Sequence, residues 1–192
     1  MKAQNPLQPV LKNYFRTHPF NMLFSSFIAS LQQDPWFTIE NYNRRTDSTF
    51  FFLSGTYKNF NPFHYQTAEV RLIISESELE YSDSLKTVDT VIIIQMMGIT
   101  DTGVVKKKQV IKEFQRFHNN HGERFWKNDY KNVDLHGETI AEVFNYFIYP
   151  FSVSPFAIAW GRLPDTYQYT FTITLRCKIK ENAADLIIPP GN

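Results

Sequence analysis

A single cysteine, Cys177, leaves the chain without an internal disulfide framework. No run approaches the roughly 18 apolar residues that a membrane-spanning helix needs, so no membrane partner is expected. Charge of one sign is also missing: 20 Lys and Arg stand against 19 Asp and Glu, a net charge of +1. Such a balance gives no global field to hold a polyanion, so nucleic acid is not an expected partner. Met1 to Val10 lacks a charged n-region followed by an apolar h-region, and the expected setting is cytoplasmic or virion-associated, with no disulfide stabilisation. Only seven glycines occur. No Gly-x-Ser-x-Gly elbow, Gly-x-x-x-x-Gly-Lys loop or Gly-x-Gly-x-x-Gly turn is among the motifs, which turns the reading away from an enzyme.

Aromatic side chains are abundant instead, with 18 Phe and 10 Tyr. They supply enough contact area for a full core and leave a surplus for interfaces. Between Tyr167 and Lys180 apolar and polar residues alternate. Tyr167, Tyr169, Phe171, Ile173, Leu175, Cys177 and Ile179 fall on one side, and threonines, Arg176 and lysines on the other. This is a long half-buried strand of an antiparallel sheet. Its reach of roughly 45 Å exceeds an ordinary strand, so it bends or serves more than one neighbour.

The N-terminal stretch to Phe15 carries Pro6 and Pro9 without sustained periodicity and reads as an extended arm or a short irregular lead-in. From Thr17 a helix is predicted on the apolar stripe Phe20, Leu23, Phe24, Phe27, Ile28 and Leu31, ending at Asp34-Pro35. Trp36 to Tyr42 and Thr49 to Tyr57 read as a hairpin, Ala68 to Ser75 as a third strand, Glu76 to Lys86 as an acidic connector and Val88 to Ile99 as a central strand. A second helix follows Asp101-Thr102-Gly103, with Val110, Ile111, Phe114 and Phe117 inward. Trp126 to Asp134 fits an irregular segment or a short edge strand. The spacing of Ile140, Val143, Phe144, Phe147 and Ile148 predicts a third helix over Glu138 to Tyr149. Phe156 to Trp160 is a short strand before the long one, and residues 181–192 read as a second arm.

His118 and His121 lie three apart near several carboxylates, a spacing that zinc can use. Their place at a helix end favours solvated histidines, and no metal or cofactor is expected. Lys108, Lys112 and Arg116 share a helical face that is most simply wet. Cys177, on the apolar side of its strand, behaves as a small hydrophobe rather than a nucleophile. The aromatic loop from Lys58 to Tyr65 and the turn before the long strand supply the candidate binding residues Phe60, Phe63, His64, Tyr65 and Trp160, as a partner interface.

The expected fold is α+β: one domain over residues 1–192, with an antiparallel sheet of five to six strands and about three helices packed mainly on one face. Arms extend at 1–15 and 181–192. The expected function is a non-enzymatic structural or interaction subunit of a larger assembly, such as a connector or baseplate-type component of a phage or secretion machine. Its partners would be other protein chains, further copies included. The alternative is a small-molecule-binding domain or enzyme with a pocket between sheet and helices, lined by residues such as Trp36, Tyr167 and Tyr169.

Overall fold

A computed structural model describes residues 8–19, 22–44, 51–80, 88–121, 126–147, 156–180 and 183–186. Leu7, Phe20, the hairpin turn at 45–47, the connector beyond residue 80, and Ile187 and Ile188 lie outside these described residues. A one-turn helix α1 (Gln8–Lys12) leads to α2 (Phe24–Gln33) and four strands, β1 (Phe37–Arg44), β2 (Phe51–Tyr57), β3 (Glu69–Glu80) and β4 (Val88–Ile99). Helix α3 (Val104–His121) then precedes β5 (Trp126–Val133), β6 (Thr139–Phe147), β7 (Phe156–Arg162), β8 (Tyr169–Lys180) and β9 (Ala183–Leu186).

All pairings are antiparallel, in the order β1-β2-β3-β4-β8-β7-β6-β5, with β9 added to β8. The sheet is therefore larger than the five to six strands expected. Eight strands form its continuous path, and among the described residues only two helices, α2 and α3, exceed one turn. The predicted third helix is strand β6. Its i, i+3, i+4 spacing is real, but Thr139, Ile140, Val143, Phe144 and Tyr146 are β-branched or aromatic and favour a pleated surface. Only Phe144 and Tyr146 of the predicted helical stretch's described side chains are fully inside, two residues apart as in a strand. The segment around Trp126 is edge strand β5, and β3 runs through Glu80, so the first half of the acidic connector is paired to β4.

Strand β8 has three neighbours. It pairs with β4 over residues 170–178, with β7 over 169–175 and with β9 over 177–180. Helix α2 touches both β1 and β9. In a flat sheet these strands would stand about 24 Å apart, five spacings of some 4.8 Å. The sheet therefore curls around the helices, and its helix-bearing face is concave.

That concave face holds the core: Leu53, Leu72, Ile74, Ile94 and Met96 on one side, and Phe156, Ile158, Trp160, Phe171, Ile173 and Leu175 on the other. Val110, Phe114 and Phe117 of α3 press into it, Phe114 stacking on Phe144 at 4.6 Å. Leu11, Tyr14 and Phe15, at the inner end of the predicted N-terminal arm, are buried in the same core. Asp34 ends α2 in an extended conformation, as a residue before proline must. Its carboxylate also accepts bonds from Arg16 Nε and the Trp36 backbone N–H, tying the segment before α2 to the start of β1.

Candidate functional site

The five residues singled out as a partner interface occupy three different environments. Phe63 and Tyr65 are buried beside α3. Phe63 meets Phe171 edge-on at 5.7 Å, and the Tyr65 hydroxyl donates to the Gly98 carbonyl at 2.8 Å. Gly98 makes this docking possible, since a Cβ there would lie 2.5 Å from both the Phe63 ring and Tyr65 Oη. Burial pushes the Tyr65 hydroxyl well above the usual phenol range. Phe60 is half-buried against Tyr57, and His64 is exposed. Trp160 sits opposite Phe171 in the core, its Nε1–H donating to Glu142 at 3.2 Å. Phe63 and Trp160 both neighbour Phe171 in one aromatic core, and of the five only His64 is exposed.

His64 leads to a polar cluster that sequence reasoning missed. Glu113 lies on the inner face of α3, with its side chain 2% exposed. Arg116 donates to it twice, Nε to Oε2 at 3.0 Å and Nη2 to Oε1 at 2.8 Å. The same Nη2 reaches the Tyr14 hydroxyl at 3.1 Å and His64 Nδ1 at 2.7 Å. His64 Nδ1 also lies 3.4 Å from Glu113 Oε1. The bond to Glu113 holds the Arg116 guanidinium above its ordinary pKa. Burial first, and then the Glu113 charge, raise the Tyr14 hydroxyl. The carboxylate is neutralised by a two-pronged bond, so it acts as a clamp joining α3 to the N-terminal segment and the aromatic loop rather than as a free base. Position 113 falls three after Val110 and four before Phe117, and that spacing is the signal in sequence that it points inward.

The histidine pair divides. His118 Nδ1 lies 3.1 Å from the Tyr146 hydroxyl, while the His121 ring meets Phe117 edge-on at 5.0 Å. Among the described residues, no group of three His, Cys, Asp or Glu side chains is placed to hold a metal ion. Of the predicted basic face, Lys108 and Lys112 are exposed, while Arg116 turns to Glu113. Cys177 is buried. No helix among the described residues is long and apolar enough to cross a membrane. Of the residues proposed to line a pocket, Trp36 is stacked under Arg16, Tyr167 is exposed, and Tyr169 packs half-buried against the core. On the convex face of the sheet, burial lowers the pKa of Arg176, partly offset by Tyr130.

Three loops converge at one end of the sheet. The Thr100 backbone N–H donates to the Tyr169 carbonyl at 2.9 Å, joining the segment before α3 to the start of β8. Lys107 bonds the Glu138 carboxylate and the Thr139 carbonyl, joining α3 to the β5–β6 turn. Arg162 approaches Asp134 at 4.0 Å and lies over the Tyr167 ring at 5.5 Å. Here the apolar side chains point outward: Val104, Val105, Val133, Leu135 and Tyr167 are all exposed, Leu135 completely. Tyr167 adopts φ +57, a left-handed conformation that costs a non-glycine residue about 1 kcal/mol or more. Its backbone N–H donates to the Leu163 carbonyl at 2.9 Å, which holds the turn.

Comparison of the chain with known protein families, with curated proteins and with solved structures finds no match.

Proposed function

We propose that the chain is a non-enzymatic structural or interaction subunit of a protein assembly, in the manner of a connector or baseplate-type component. The observation that carries this reading is the set of exposed apolar side chains on three loops that hydrogen bonds and ion pairs join at one end of the sheet. Large exposed apolar groups gathered in one place are characteristic of surfaces that meet another protein. The polar groups nearest to a catalytic constellation, Glu113, Arg116, Tyr14 and His64, support it too, because their hydrogen bonds are spent on one another. Size-exclusion chromatography of a native extract, followed by detection of the chain, tests the proposal. Elution with other components above the mass of one chain is expected; elution at the mass of one chain overturns it.

The reading as a small-molecule-binding domain draws on one observation, the exposed His64 ring above the buried Glu113 carboxylate. A ligand that raises the thermal midpoint of the purified wild-type chain but not of a His64→Ala variant would favour it.

A further inference from the structure

We infer that strand β5 is a self-association edge, which pairs antiparallel with β5 of a second copy of this chain and continues the sheet across a two-fold axis. The inference rests on the reading of the chain as an interaction subunit, and it names one partner and the strand that meets it.

The edges of the sheet are not alike. In the β1–β2 ladder Ile39 faces Gly55 and Asn41 faces Ser54, so the extra residue, Glu40, lies in the edge strand itself. A bulge there bends the strand and interrupts the row of backbone groups that another strand would need. In the β5–β6 ladder Asn132 faces Ala141 and Val133 faces Thr139, so the extra residue is Ile140 of the inner strand. The edge strand β5 runs without a bulge or a proline. Among the described residues nothing pairs with its outer side, and Asp129, Tyr130, Lys131, Asn132 and Val133 are all exposed. Alternate backbone N–H and C=O groups of β5 therefore point to an open edge, the template for a further strand.

Register selects the occupant. Copies of one strand that pair antiparallel in a continuous sheet are related by a two-fold axis perpendicular to that sheet. Each residue then opposes one of its own face, and the axis passes through a residue. The registers that overlap nearly all of β5 have this axis at Asp129 or at Tyr130. The first sets Asp129 against Asp129, like charges directly opposed. The second sets Tyr130 against Tyr130, flanked on both sides by Asp129 against Lys131, opposite charges with Cβ atoms about 5 Å apart. Lys131 Nζ lies 3.4 Å from Glu142 Oε1 while its side chain is 55% exposed, so it keeps donors for a second carboxylate. An unrelated strand would meet the same open backbone without this match of charges.

Sedimentation equilibrium of the purified full chain across a range of concentrations tests this, with circular dichroism melts confirming that each variant folds. The wild type is expected to dimerise. Asp129→Lys alone and Lys131→Glu alone each set like charges against one another on both sides of the axis, and each should weaken the dimer about tenfold or more. Asp129 is exposed, so its change leaves the core untouched. Both changes in one chain should restore the dimer. An equimolar mixture of the single variants should also associate, because their strands are complementary to each other and not to themselves. A wild type that stays monomeric, a dimer that survives Asp129→Lys, or a double variant or mixture that fails to associate overturns the inference. If the purified chain is monomeric while the native extract holds it in a larger particle, only the edge pairing fails; if both are monomeric, the reading as an interaction subunit fails with it.

Discussion

The sheet consists of two four-strand meanders, β1–β4 and β5–β8, which run from opposite edges toward the centre and meet at the β4–β8 seam. They share a topology but differ in what they bury. On the concave side the first half is largely aliphatic near the seam, through Leu53, Val70, Leu72, Ile74, Ile94 and Met96. The second half is dominated by rings, Phe144, Tyr146, Phe156, Trp160 and Phe171, into which α3 places Phe114 and Phe117. The convex sides differ as well. In the first half Arg71 joins Glu69 at 2.8 Å and approaches Glu40 at 3.9 Å, whereas the second half carries Ala141, Ala157, Ala159 and Gly161. One topology thus tolerates two chemistries, because strand pairing fixes the backbone while volume and shape complementarity are solved separately in each half.

The comparison can be broken most directly at its rings. Phe171→Ala should cost about 3–5 kcal/mol in denaturant melts, because the Phe63 and Phe117 rings that pack on it cannot collapse into the void. Leu72→Ala should cost less, about 2–3 kcal/mol. Equal or reversed values would show that the halves do not differ in what holds them. Next comes backbone crowding. A Cβ at Gly55 would lie 2.5 Å from the Thr38 carbonyl oxygen, while at Gly161 its nearest neighbour is Ala141 Cβ at 3.5 Å. Gly55→Ala is expected to destabilise by about 1–3 kcal/mol and Gly161→Ala to change stability by less than about 0.5 kcal/mol, read from the midpoints of urea unfolding.

Both halves contain tyrosines whose pKa burial raises, Tyr57 in the first and Tyr146 in the second. A phenol with a raised folded pKa contributes stability that is fully present below its unfolded pKa of about 10 and declines above it, as the unfolded chain ionises first. Stability should therefore hold up to about pH 9 and fall beyond about pH 10 by up to ~1.4 kcal/mol per pH unit for each such tyrosine. Urea melts at stepped pH should show Tyr146→Phe reducing that slope; an unchanged slope would remove Tyr146 from the account. The smallest effect belongs to the convex side. Arg71 is 37% exposed, so Arg71→Met should cost about 0.5 kcal/mol or less and become undetectable in high salt.

The two halves were unequally legible in the sequence. In the first, β1, β2 and the body of β3 follow period-two patterns bounded by turn residues, and β4 is a continuous apolar run. In the second, the aromatic residues of β6 stand three and four apart as well as two apart, and a short apolar segment satisfies both periods until its neighbours decide. The eight strands exceed the five to six expected because β6 carries this helical spacing and β5 lacks a sustained alternation. The candidate sites were less legible still. The inward position of Glu113 follows from spacing, but its partners His64 and Tyr14 lie 52 and 102 residues from Arg116, and no local pattern joins them. At the loop end, the Val104-Val105 pair, Leu135 and Tyr167 lie far apart in the sequence and share no pattern. Only the bonds among the three loops bring the segments that carry them to one end of the sheet.

The β4–β8 seam also dictates an order of events during synthesis. Gln95 and Thr174, bonded across it, are 79 residues apart, so the ribosome releases β1–β4 long before β8 exists. Until then the inner edge of β4 presents unpaired backbone groups beside Val91, Ile92, Ile94 and Met96, the kind of edge that recruits other strands. Fixing this pairing closes a long loop before any contact rewards it, which places the chain among slowly folding topologies. The nascent first half is therefore the species most exposed to aggregation until β8 covers that edge.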